Sequence, residues 1–278
     1  MKALLLFLLA VVAVLAVYLG YSTEPRQPVV STPSPAATTD FISTPSAAPF
    51  ASPSIEPLAG GRTLSLKLPA AASDGGVLAE LTVSARPAAS AGRPRNWIPV
   101  PDPSNPIVNN DTQVSLSVAA EYARAFAEAD SSGVDLFYAL TAPSVAVGGR
   151  SAGAAAAIAA IALLEEKPLR NDTLITGAIE PDGRITRVGR VLDKARAVRE
   201  GGYSVFLVPV GESFEGVQRT AQNQSCTTEY VEGVPFTSCR TQSTTWVEQV
   251  NVSEETGIQV IEVANVSQAY ELMREAVE

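Results

Sequence analysis

Two residues stand where chemistry could be built from side chains alone: Ser151, at the start of an alanine-rich run, and Lys194, on the apolar side of a short charged stretch. The chain has 278 residues and no histidine. That removes Ser-His and Cys-His catalysis, and with only two cysteines it also removes the usual zinc ligand sets. No metal and no cofactor are expected. A serine nucleophile without histidine needs a neutral amine to take its proton, and a lysine supplies one only if burial lowers its pKa from about 10.4. A helix predicted over Val191–Glu200 sets Val191, Ala195 and Val198 on one face with Lys194 among them, while Arg190, Asp193, Arg196 and Glu200 point elsewhere. The ordinary reading of such a lysine is a stem on apolar surface with its head in water.

Ser151 follows Val147-Gly148-Gly149-Arg150 and opens a helix predicted over Ser151–Glu166. Backbone N–H groups of Gly149, Arg150 and Ala152, with the positive helix end, are candidates to hold an oxyanion. Ala152 and Gly153 are small enough to let a substrate approach. The ordinary reading of Ser151 is a plain helix N-cap. A phosphate cradle is disfavoured, because the segment lacks the lysine and the spacing of G-x-x-x-x-G-K-[ST].

The elements that must position these two residues fill the chain from about Gly60 to Glu278. Leu64, Leu66 and Leu68 alternate with polar residues, and Val77–Val83 follows Gly75-Gly76, which predicts an antiparallel hairpin. Proline-rich sequence from Arg93 to Pro106 reads as an irregular connection. Ala119, Tyr122, Ala123 and Phe126 predict a helix from about Ser115 to Ala129. Val134–Leu140 reads as a strand. Leu174–Ile179 and Ile185–Val188 read as a hairpin turned by Glu180-Pro181-Asp182-Gly183. Tyr203–Val208 and Ile258–Val263 read as buried strands, and Ser267 as the cap of a last helix through Ala276. The fold class expected is α+β, with helices packed on a mixed sheet and a polar insertion at about 212–257.

Ahead of that body, Ala3–Tyr21 is apolar and uncharged, close to the ~20 residues that span a hydrocarbon core. Residues 1–22 are therefore expected to be a membrane anchor, with a cleaved secretory signal as the rival reading. Pro, Ser, Thr and Ala dominate from Ser22 to Pro57, so residues 23–59 are expected to be a flexible linker. Lys2 before the apolar run places the bulk of the chain outside the cytoplasm, or secreted if the segment is cleaved. Cys226 and Cys239 enclose a short loop, where a disulfide would contribute about 3 kcal/mol in an oxidising compartment. Sequons begin at Asn110, Asn171, Asn223, Asn251 and Asn265. The net charge of −9, without a basic stripe, argues against nucleic acid as a partner.

From about Gln113 onward the chain resembles the proteolytic domain of Lon proteases, the Ser-Lys peptidases. Gly149-Arg150-Ser151-Ala152-Gly153 is similar to the G-x-S-A-G segment around that family's catalytic serine. Leu192-Asp193-Lys194 is similar to its lysine helix, 43 residues further on. Thr176-Gly177 resembles the pair whose threonine helps orient the lysine amine. Asp182-Gly183-Arg184-Ile185 through Val188-Gly189, and Gly201-Gly202 with Val205–Pro209, resemble further segments of the domain. The resemblance implies catalysis by Ser151 and Lys194 with Thr176 in support, polypeptide substrates, and assembly as a homo-oligomeric, hexameric ring.

The chain departs from the family pattern at three positions. Gly148 stands where an aspartate is common, Arg150 where a proline is common, and Ala178 where a glutamate follows the Thr-Gly pair. A Walker motif is absent from the sequence, so ATP-independent cleavage of unfolded or exposed segments is expected. The alternative from another class is an inactive Lon-like surface module that binds or assembles, and a small-molecule phosphotransferase is a third reading.

Overall fold

The computed structural model describes residues 53, 55–58, 60–90, 94–98, 107–142 and 146–275, all within the unit Ala47–Glu278. The expected anchor and most of the linker lie outside the described residues. Among the described residues no helix is long and apolar enough to cross a membrane.

In chain order the elements are β1 (Ile55–Leu58), β2 (Gly61–Ala72), β3 (Gly75–Pro87), β4 (Asn96–Trp97), β5 (Ile107–Val108), α1 (Asn110–Phe126), β6 (Val134–Thr141), β7 (Ala146–Val147) and α2 (Gly153–Glu165). There follow β8 (Thr173–Ile175), β9 (Ala178–Ile179), β10 (Ile185–Thr186), α3 (Val191–Glu200), β11 (Val205–Pro209), β12 (Phe214–Val231), β13 (Val234–Asn251), α4 (Val252–Thr256), β14 (Gln259–Val263) and α5 (Val266–Met273).

Alternation along β2, β3 and β6 buries Leu64, Leu66 and Leu68, then Leu81, Val83 and Ala85, then Leu136, Tyr138 and Leu140 on one face. These strands belong to a five-stranded sheet in the order β1-β2-β3-β6-β4, antiparallel except for β4 beside β6. The predicted hairpin is β2–β3, with Ala72 opposite Gly75. A separate three-stranded parallel sheet, β14-β11-β8, is centred on β11, whose Phe206, Leu207 and Val208 are fully buried. A central strand covered on both faces reads as a continuous apolar run. The α+β class is borne out, but the single mixed sheet is corrected to two principal sheets. The cause is local: Leu174–Ile179 is not one strand. It breaks at Thr176-Gly177, so that β8 pairs with β11 while β9 turns to pair with β10.

Helix α2 is buried along twelve residues, Gly153–Leu164, and is apolar all round as a helix inside a core must be. Its alanines let α1 approach closely. Together with α5 and the inner leucines of the first sheet these residues form the main core, while α3, β11 and α4 enclose a second cluster around Leu192, Val198 and Phe206.

Two helix boundaries differ from expectation. Helix α1 starts at Asn110 rather than Ser115, because Asn109 accepts the N–H of Thr112 as a side-chain cap. The last helix is capped by Asn265, which accepts the N–H of Gln268 at 2.8 Å, and ends at Met273; Ser267 lies inside it. Of the sequon asparagines, Asn251 and Asn265 are thus N-caps, and Asn110, Asn171, Asn223 and Asn265 are exposed.

The polar insertion is a two-stranded ribbon, β12–β13, in register from Phe214 opposite Asn251 to Val231 opposite Val234. Residues 218–249 are exposed throughout. Cys226 and Cys239 are directly opposite and disulfide-bonded. Because the exposed ribbon opens locally before the body unfolds, replacing both cysteines with serine is expected to cost less than the about 3 kcal/mol of the chain-entropy model. The same variant should be cut faster within the ribbon by an added protease; chemical denaturation and limited proteolysis read the two effects.

Candidate active site

The N-cap Asn109, two polar side chains of α1 and the residues after β7 build the turn that carries Ser151. The short parallel pairing of β5 with β7 brings Asn109 beside Gly148. One turn into α1, the buried Thr112 donates its hydroxyl to the carbonyl of Gly149 at 2.8 Å. A turn further, the buried Ser115 donates to the carbonyl of Arg150 at 2.9 Å. The carbonyl of Ser151 accepts the N–H of Gly177 at 3.1 Å and the hydroxyl of Thr176 at 3.5 Å.

Three consecutive carbonyls are therefore held. Because a trans peptide points its C=O and N–H in opposite directions, the N–H groups of Arg150 and Ser151 face away from α1. That of Ala152 faces away from the β8–β9 connection. Gly149 has φ +101°, a backbone state that side-chain-bearing residues rarely adopt.

Ser151 is half-buried and stands two residues before α2. The N-cap position belongs to Ala152, which offers no side-chain cap, so the ordinary N-cap reading of Ser151 is set aside. The first turn of α2 carries no acidic residue to offset its positive end. The side chain of Arg150 reaches over to the carbonyl of Ile179 and to Glu180, both at 3.4 Å.

Gly153 lets this turn sit tightly against its surroundings. A Cβ there would stand 2.4 Å from Ser115 Oγ and 2.7 Å from Ile179 Cγ2. Gly153→Ala is expected to destabilise the fold by about 1–3 kcal/mol through overpacking, and to push Ser115 off the Arg150 carbonyl. A thermal melt and the rate of Ser151 modification would show both.

Lys194 lies in the first turn of α3, only 3% exposed, among Val191, Ala195 and Val198 as its position on the helix wheel required. Its amine is not in water: Nζ donates to the hydroxyl of Thr176 at 3.3 Å, and Thr176 is itself fully buried. Thr176 thus links the lysine amine to the backbone of Ser151. Burial brings the Lys194 amine down to about 8; Glu212 and then Glu215 oppose this by favouring the charged form, and Arg190 adds to it. The carboxyl of Glu212 is itself raised, first by burial, against the N–H of Val188 and the charges of Arg187 and Lys194.

Ser151 and Lys194 line the same cleft, of about 510 Å³, together with Ala70–Ala72, Val77 and residues 186–190. Gly149 and Arg150 line it too, and so does Ala178, the position of the missing glutamate. Among the described residues no group of acidic or cysteine side chains is placed to hold a metal ion.

Sequence reasoning missed Thr112, Ser115, Glu212 and Glu215. For the first two a signal existed: Thr112, Ser115, Leu116, Ala119, Ala120 and Ala123 are one buried stripe at helical spacing, which short polar residues disguised.

Comparison with curated proteins found no match. Comparison with family models found the Lon protease (S16) C-terminal proteolytic domain at residues 107–224, from β5 to within the ribbon and including Ser151, Thr176 and Lys194. Residues 107–224, which bring the buried lysine and the serine turn to one cleft, are thus similar to the peptidase part of the S16 serine proteases.

Proposed function

We propose that this chain is an ATP-independent endopeptidase in which Ser151 is the nucleophile and Lys194 the general base. The observation that carries this reading is the Lys194 amine, buried beside Thr176 in the wall of the cleft that Ser151 also lines. Neutral Lys194 takes the Ser151 proton as Oγ attacks a peptide carbonyl. The developing oxyanion is held by N–H groups at the start of α2, among those of Gly149, Arg150 and Ala152. Lys194 then gives the proton to the leaving amine, and water, activated by the same lysine, releases the acyl group. Thr176 fixes the direction of the amine.

A cleft of this volume takes a few side chains of an extended segment rather than a folded domain. Unfolded chains and exposed loops are therefore the substrates. The ring assembly that the family resemblance implies belongs to this reading. So does an outer-surface location, with residues 1–22 as the anchor, supported by the apolar run and by a disulfide suited to an oxidising compartment.

Incubating the full chain with reduced, unfolded casein in the absence of nucleotide tests the activity. Cleavage should proceed and be indifferent to added Mg-ATP. Cleavage that starts only when nucleotide is supplied would contradict the proposal.

A further inference from the structure

Helix α3 presents Lys194 on its first turn yet has no cap of its own. Its N-cap residue is Arg190, held in left-handed backbone at φ 57°. The Arg190 side chain turns to Asp193 and to the carbonyls of Ala72 and Gly75. A helix start leaves N–H groups orphaned, and the usual remedy is a short polar residue at the N-cap. Here the partner comes from another element. Glu215, the second residue of β12, accepts the N–H of Leu192 at 2.5 Å. Three residues earlier, Glu212 takes the N–H of Val188 with both carboxylate oxygens, at 3.0 and 3.1 Å, and is 5% exposed. Two carboxylates at the root of the ribbon therefore hold the segment 188–192, which leads into the lysine helix and forms part of the cleft wall.

We propose that Glu215, supported by Glu212, is a positioning residue for Lys194: it caps the lysine helix from the ribbon root and so sets where the amine stands relative to Ser151. This rests on the assignment of Ser151 and Lys194 above. The charged groups acting on the amine are Glu212 and Glu215 from the ribbon root and Arg190 from its own helix. Asp193 is turned to Arg190 and Arg196, Arg187 to Glu212, and Arg150 to Glu180. Removing the negative charge of Glu215 should therefore ease loss of the Lys194 proton, while removing its acceptor oxygen should loosen the helix start.

Glu215→Gln and Glu215→Ala in the full chain separate the two effects, because glutamine keeps an acceptor for Leu192 and loses the charge. The sequence has only Lys2, Lys67, Lys167 and Lys194, so ¹⁵N-lysine NMR follows the Lys194 amine directly. Leu192 amide exchange reports the cap, and the high-pH plateau of Ser151 acylation by a fluorophosphonate reports the alignment. In Glu215→Gln the Lys194 midpoint should move to lower pH with Leu192 still protected. In Glu215→Ala the Leu192 amide should exchange about tenfold faster and the acylation plateau fall about tenfold. Glu215→Gln should recover most of that plateau.

A Lys194 midpoint and a Leu192 protection that match the unaltered chain in both variants would overturn the proposal. Failure of the peptidase reading looks different. Ser151 would then resist acylation even in the unaltered chain, while the Lys194 and Leu192 signals still shifted and upheld the cap.

Discussion

Replacing Ser151 with alanine is expected to lower peptide hydrolysis by at least about 10³-fold, leaving only what binding and backbone donors supply without a nucleophile. The fold should be indifferent. Ser151 is half-buried, and what its neighbours grip is its backbone carbonyl, which alanine retains. The variant should therefore melt with the unaltered chain while failing to form an acyl intermediate with a serine-directed probe. Mass spectrometry of the intact chain distinguishes the outcomes, since one added acyl group that survives the substitution would place the nucleophile elsewhere.

Lys194→Met should have an effect of comparable size on rate and should raise stability at neutral pH. Loss of a positioned general base costs about 10²–10⁴-fold, and Lys194→Arg should not restore it, because a guanidinium does not shed its proton in a protein. The sign of the stability effect follows from the depressed amine. In the unfolded chain Lys194 titrates near 10.4, whereas burial brings it to about 8 in the fold. Between those values the unfolded chain binds more protons, so stability rises with pH across that window. The penalty is fully present below about 8. Lys194→Met removes it, with a gain at neutral pH of roughly 1–3 kcal/mol, reduced because Glu212 loses a favourable charge. Denaturant titrations at pH 7 and pH 10.5 should show the variant ahead at the first and the difference shrinking at the second. A variant that is less stable at both would mean that the amine is not carried as a buried charge.

Much of this site was legible because its makers are local. The stripe of Val191, Ala195 and Val198 announced a buried face, and Lys194 on it is an anomaly that a helix wheel exposes. Alternating leucines gave β2 its inner face, and Glu180-Pro181-Asp182-Gly183 its turn, closed by Gly183 N–H on the Glu180 carbonyl. What stayed hidden depends on contacts distant in sequence. The hydroxyls of Thr112 and Ser115 act on carbonyls 37 and 35 residues away, and no local pattern reveals such a partner. The break at Thr176-Gly177 was read through because its apolar flanks continue the run. Glu212 and Glu215 sit at the edge of a polar insertion that resembles ordinary loop until β12 brings them under α3. The ribbon itself escaped notice because both of its faces meet solvent and neither shows the alternation of a half-buried strand.

The central claim is that a buried amine, which loses its proton around pH 8 instead of near 10.4, activates Ser151. The most direct measurement is the rate of Ser151 acylation by a fluorophosphonate as a function of pH, in the unaltered chain and in Lys194→Met. The account predicts a rate that climbs through a midpoint near 8 and then levels, with that limb abolished in the variant. Equal rates in the two proteins across the pH range would contradict it.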